Sequence, residues 1–447
     1  MIVIATTVVI TGVMVGSFGY MSSANRATFQ LTTAILWALF AVTVVVLRGV
    51  PTRVAVIIIV AGSVAVSGAA LLGPPDTSTD AARYSWDGIV QDAGISPYKF
   101  TPRDDALATL RPDWLFSTPT TGATGPQCSL PRRYLTRTTP SGALICTAIN
   151  RPTVPTIYPP AGEIFFAAVR AAVPRQAQYW PFQVAGLLMT LAVTFLLIVG
   201  LKRRGLNPRW SAFWALSPIT VSEAVANSHI DVLGSLLTVL AIFAIAQGVR
   251  WRGGVLLGAA IATKLIPILA APAVLRREPW KVIIAAVATF VVLYIPYVAT
   301  TGVAVIGYLP GYLSEGGYDN GSRFVLLRAF LPPTAAIVVA AVLFLTVVVL
   351  TMVMSNPDRP WLGQLVVIGA ALVIASPPYA WYSLLILPFI AMAGRWEWMA
   401  VPLALSLHTF APSTSTFRWS LLLATAVVVA GSVIRLRSTR MDRPRVR

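Results

Sequence analysis

The sequence predicts an all-α polytopic membrane protein, on three observations. Of its 447 residues, 56% are hydrophobic and 11% charged, where a soluble domain carries about 25% charged residues. Apolar runs of membrane-spanning length recur along the chain. The basic residues fall in short clusters between those runs: Lys202-Arg203-Arg204, Arg250 with Arg252, Arg276-Arg277, and a tail from Arg435 to Arg447. That is the positive-inside pattern of cytoplasmic loops. It also disposes of the partner that a formal charge of +18 would suggest. Cations distributed between spans face membrane lipids with anionic headgroups, not a nucleic acid.

The first apolar segment, roughly 2–21, has no basic leader and no small-residue cleavage site, so it reads as a span and not as a cleaved signal peptide. Spans are expected next at 28–47 and 52–73, joined by a turn that Arg48 and Arg53 mark as cytoplasmic. This places the N-terminus inside and residue 74 outside. The polar stretch 74–178 follows, rich in Pro, Thr, Gly and Arg, and an extracytoplasmic loop of that length is commonly functional. Within it, 161–173 is too short to span and carries Glu163 and Arg170, so it is expected as a helix lying in the interface. Cys128 and Cys146 are the two cysteines of the chain; both lie in this loop and are expected to pair in an oxidising compartment.

Spans are expected again at 179–200, 210–226 and 232–249. The segment 253–275 is long enough to cross, yet basic residues flank both its ends, and Lys264, Pro267 and Pro272 interrupt it. Proline breaks helices, and irregular backbone at membrane depth is tolerated where protein or a wet cavity surrounds it. A re-entrant hairpin is expected, entering from the cytoplasmic side with Lys264 near its turn. Spans at 282–300, 334–354, 362–377, 379–395, 399–413 and 418–436 complete the chain. The expectation is one integrated membrane domain, 1–447, of about twelve spans plus the hairpin, with both termini cytoplasmic.

Four groups of residues carry chemistry. Asp80, Arg83, Tyr84 and Asp87 recur at helical spacing and share a face, and Trp86 lies in the same stretch; a positioned carboxylate can take a proton from a hydroxyl, and arginine suits phosphate. His229 and Asp231 form a polar pair at the outer end of a span, able to relay a proton, hold a sugar hydroxyl or bind a metal; two ligands alone do not make a metal site, so no cofactor is assigned and a divalent ion is not favoured. Lys264, one of four lysines, is an ionisable group inside a membrane segment and needs an anion. Tyr158, Arg323, Tyr379, Trp381 and Tyr382 lie at outer span ends, where the last three read as an interfacial aromatic belt. No P-loop, dinucleotide fingerprint, zincin motif or nucleophile elbow is present.

Asp80-Ala-Ala-Arg83-Tyr84 resembles the D-E-x-R-Y stretch that opens the first outside loop of the GT-C superfamily of glycosyltransferases. Within one bacterial branch the likeness extends to Arg83-Tyr84-Ser-Trp86-Asp87-Gly88, Gly94-Ile-Ser-Pro97-Tyr98, Thr156-Ile-Tyr158-Pro-Pro160, Asn227-Ser-His229-Ile-Asp231 and the segment Gly258 to Pro267 around Lys264. That branch is similar to actinobacterial mannosyltransferases. The resemblance implies a GT-C-like bundle in the plasma membrane with its active site facing outside. It implies a polyprenyl-phosphate sugar donor, a glycan or glycolipid acceptor, and Asp80 as the catalytic base. Ala81 stands where many relatives carry Glu, and Ser117 to Asn150 matches nothing in the branch. A membrane-buried lysine in a broken helix also suits a transporter or flippase, from which the large loop bearing carboxylates distinguishes an enzyme.

Overall fold

The computed structural model describes residues 1–122, 125–128 and 134–441; residues 442–447 of the basic tail lie outside the described residues. Apolar runs free of internal proline form single helices: α1 (Ile2–Ser17), α2 (Arg26–Arg48) and α3 (Thr52–Ala69) lead into the polar loop. The loop opens with α4 (Asp80–Asp92) and closes with α5 (Pro160–Ala171), and α6 (Trp180–Arg203) returns across the bundle.

Beyond α6 the prolines set the architecture. Near Pro208 and Pro218 the chain makes a 3-10 turn, the short α7 (Ala212–Ala215) and a π-helical stretch, Thr220–Ala226. That stretch meets α8 (Asp231–Ala246) at 110°, with Ser228 left-handed at φ 51°. α9 (Arg250–Thr263) stops at the extended Lys264, and two 3-10 turns, Ile266–Ala270 and Pro272–Val274, each start on or beside a proline. There follow α10 (Pro279–Thr301), which runs through Pro296, α11 (Leu309–Glu315), α12 (Pro333–Met354), α13 (Trp361–Ala375), α14 (Leu387–Ala393), α15 (Ala400–Phe410) and α16 (Thr414–Met441).

Among the described residues, six helical stretches are long and apolar enough to cross a membrane, or seven if the bent pair is one span. The sequence leads one to expect about twelve. The difference lies in 210–226 and 379–395, where apolar composition persists but the helix is divided into short turns, and in 2–21, 362–377 and 399–413, whose helices run only 16, 15 and 11 residues. A hydropathy window sees the composition and not the break.

The loop 74–178 is more than a connection. Thr-rich segments pair as short antiparallel strands, β1 (Phe116–Ser117), β2 (Thr120–Gly122), β3 (Gly125–Gln127), β4 (Leu135–Thr138) and β5 (Leu144–Thr147), with β5 between β1 and β4 and β2 against β3. The otherwise all-α chain thus carries a small β unit. Cys128 and Cys146 are joined as a disulfide in it, their Cα atoms 5.7 Å apart. Trp86, Leu107, Leu115, Phe116 and Ile149 form its own apolar core. The unit is anchored through α4 and α5, which touch at Gly88: a Cβ there would stand 2.6 Å from the Phe166 carbonyl oxygen. α5 exposes Ile164, Ala168 and Ala171 on one face. It buries Glu163, Phe166 and Arg170, because it is covered by α4 on one side and α9 on the other.

Candidate active site

The residue that begins α4 is held by a residue far along the chain. Asn227 follows the π-helical stretch, and its Oδ1 accepts from the backbone N–H groups of Asp76, Thr77 and Ser78 at 3.2, 3.1 and 3.1 Å. Its Nδ2 donates to Asp76 Oδ1 at 3.2 Å and Thr77 Oγ1 at 2.8 Å. The Ser78 hydroxyl then accepts from the Asp80 N–H at 3.2 Å. The backbone N–H groups of residues 76–78 are thus all paired with one side chain, which fixes where α4 starts.

Asp80 opens onto a cavity of about 410 Å³. Its Oδ2 lies 3.5 Å from His229 Nδ1 and accepts from the Tyr158 hydroxyl at 3.4 Å. His229 is fully buried, with Nε2 3.3 Å from Glu223 Oε2, so the imidazole stands between two carboxylates. Its ring lies on Trp381 with centroids 4.0 Å apart, and Trp381 in turn stacks on Tyr379 at 4.4 Å. Across the cavity, Lys264 Nζ is 2.7 and 2.9 Å from the two oxygens of Asp231 and 4.8 Å from the centre of the Tyr382 ring. Arg151 stands at the rim, paired with Glu315 at 2.8 Å. Burial by itself would raise the Asp80 carboxyl. The close approach and charge of His229, with the charges of Lys264 and Arg151, outweigh it and hold Asp80 below its ordinary value.

The shared face of α4 divides along its length. Asp80 and Arg83 reach the cavity, but Asp87 is seven residues on, about 10 Å along the axis, and does not. Arg83 Nε donates to both Asp87 oxygens at 2.9 and 2.8 Å, and Nη1 donates to the Val154 carbonyl at 3.1 Å. These bonds tie α4 to the loop, while Nη2 is buried without a hydrogen-bond partner. Asp87 shares its buried site with Glu163, and burial raises both carboxyls. Trp86 is expected at a substrate, but it packs edge-on against Phe116 at 4.7 Å inside the loop core. The face opposite Asp80 is needed to bury the β unit. Tyr84 lies one layer behind the cavity, stacked on Phe166 at 4.4 Å, with its hydroxyl 3.4 Å from that of Tyr158. Arg323 is buried over the Tyr318 ring at 5.1 Å, and it is Tyr318 that lines the cavity.

Asp80, Tyr158, His229, Asp231 and Lys264 thus come together. Tyr379, Trp381 and Tyr382, read from sequence as a belt, form the cavity wall. Glu223, which the sequence groups with His229 and Asp231, stands against His229, whereas Arg151, Glu315 and Tyr312 are contributors that carry no motif by which sequence could single them out. Among the described residues, no three or more His, Cys, Asp or Glu side chains converge as a metal-ligand set.

A carboxylate and an ammonium face one cavity, with a buried imidazole behind the carboxylate, in a helical bundle whose long apolar helices fit a membrane protein. Residues 156–377 match the model of Glycosyltransferase family 87, which indicates a glycosyltransferase. The matched stretch contains Tyr158, His229, Asp231, Lys264 and Arg323; Asp80 precedes it and Trp381 follows it. Neither the curated proteins nor the solved structures contain a match to the chain.

Proposed function

We propose that the chain transfers a sugar, mannose by its resemblance, from a polyprenyl-phosphate donor to a hydroxyl of an envelope glycan or glycolipid, on the outer face of the plasma membrane and with inversion. The observation that carries this reading is the pairing of an unprotonated carboxylate, Asp80, with an ammonium, Lys264, on one cavity. Single displacement needs both. The acceptor oxygen attacks the anomeric carbon and its proton passes to Asp80. The carbon–oxygen bond to phosphate breaks, and the electron pair leaves on the polyprenyl phosphate.

An ammonium has three donors, and Asp231 engages Lys264 through two oxygens. The remaining donor is available to the phosphate as its charge develops. His229 and Asp231 orient the reacting groups. In this arrangement α9 and the turns after Lys264 form a re-entrant hairpin, with both chain termini cytoplasmic. The partners are the donor, the acceptor and membrane lipids.

The test is Asp80→Asn assayed with a polyprenyl-phosphate-mannose donor and a defined acceptor. A general base contributes about 10²–10⁴-fold, so turnover should fall by that factor while donor binding persists. Near-normal turnover would reduce Asp80 to a helix cap. A transporter or flippase would release no free polyprenyl phosphate when acceptor is supplied.

A further inference from the structure

At the end of the bundle away from Asp80 there is a second cavity, of about 300 Å³. Its position follows from α2. Tyr20 lines the active-site cavity, and Met21 N–H bonds to the Asp76 carbonyl beside it. α2 then carries the chain away over 23 residues, about 34 Å, which is the thickness of a bilayer core. The cavity lies at the far end.

Three guanidinium groups from separate elements line it: Arg48 at the end of α2, Arg209 after the end of α6, and Arg435 on α16. Arg435 is clasped to the buried Glu397 at 3.1 and 2.7 Å, which leaves the group with an excess of positive charge. Arg209 Nη2 donates to the Val50 carbonyl, while its Nε is buried and makes no hydrogen bond. The floor is apolar, built on Leu47 and Phe213, and Trp396 stands at the side, 49% exposed. The neighbouring α2 surface presents Val45 and Val46, 60% and 56% exposed, as a lipid-facing helix does.

We propose that this cavity binds the phosphate headgroup of an anionic glycerophospholipid of the leaflet opposite the active site. Guanidinium forks match phosphate oxygens bidentately. The exposed indole marks headgroup depth, and the apolar floor suits the glycerol and the first methylenes. A cavity with cations alone would suit a soluble anion. The combination of cations above an apolar floor, at the height of an interfacial tryptophan and beside lipid-facing valines, suits a lipid. This site is independent of the reaction assigned above.

The experiment reconstitutes the full chain in vesicles of phosphatidylcholine alone or of four parts phosphatidylcholine to one part phosphatidylglycerol, extracts it gently, and counts retained lipid by native mass spectrometry. Wild-type protein should retain phosphatidylglycerol selectively. Arg48→Gln and Arg209→Gln should each weaken retention by about tenfold, the value of one charged hydrogen-bonded contact. Arg203→Gln, at the same face but outside the cavity, should leave it unchanged. Arg48 is exposed at a helix end, so its variant stays informative if Arg209→Gln fails to fold. Equal loss in Arg203→Gln would show diffuse attraction and overturn the site. Displacement of the lipid by inorganic phosphate alone would make the ligand a soluble anion and overturn the lipid assignment.

Discussion

Lys264 closes on Asp231 with its ammonium within 2.9 Å of both carboxylate oxygens, so the break that ends α9 is tied to the first residue of α8. Breaking a buried ion pair by removing one partner costs about 3–5 kcal/mol. Lys264 keeps 18% of its side chain open to the cavity, which sets the expected loss at or below the bottom of that range. Lys264→Met should therefore lower both thermal stability and turnover. Adding Asp231→Asn should restore most of the stability and none of the turnover. A double variant that recovers activity would show that Lys264 serves the fold alone.

The second prediction concerns pH. Asp80 is held below its ordinary value in the folded protein, chiefly against burial and chiefly by His229. A depressed carboxyl contributes stability that is present above its unfolded value and is lost as pH falls through the folded one. As a base it stays charged across the neutral range. In His229→Gln the nearby imidazole and its charge are gone and burial dominates, so Asp80 should rise. The acid limb of the turnover profile should then move to higher pH. An acid limb that stays in place would separate His229 from Asp80.

A third prediction separates the two buried carboxyls that meet behind α4. Burial raises both Asp87 and Glu163, but Asp87 alone accepts from Arg83 Nε through both oxygens. Glu163 accepts from the Thr156 hydroxyl and from Gln91, contacts that a glutamine carbonyl can partly keep. Glu163→Gln should therefore be tolerated, within about 1 kcal/mol. Asp87→Asn strands a buried guanidinium and should cost several times more, with less effect on turnover than Asp80→Asn. Unfolding temperatures of the purified variants decide the order.

The fourth prediction is of the loop. The Cys128–Cys146 bond closes a separation of 18 residues, for which the chain-entropy model gives about 3 kcal/mol. Cys128→Ser with Cys146→Ser should make the β unit easier to cleave by protease while leaving the membrane helices intact. Alkylation of two free thiols in natively purified protein would contradict the bond.

The membrane class and the groups at Asp80, His229 and Lys264 were legible because each is a local signal: an apolar run, a short motif, a charge where a charge is costly. Segments such as 210–226 and 379–395 misled because their composition is that of a span while their prolines divide the helix. Asp87 shares a spacing with Asp80 and Trp86 adjoins it in the motif, but which part of α4 meets the cavity depends on α5 and the β unit, which lie farther along the chain. Trp381 reads as an interfacial aromatic until His229 is seen beneath it. Arg151 and Glu315 meet only because the loop folds back over α11, a contact across 164 positions that no window of sequence contains.

The carboxamide of Asn227 has one more effect. By holding the backbone of residues 76–78 against the kink before α8, it makes the height of Asp80 a property of the bundle instead of the loop. On the proposed reading, a lipid-linked sugar would have to bring its reacting carbon to a height that the bundle sets, and selection would act on how far the sugar stands from the membrane surface and not on the length of the tail.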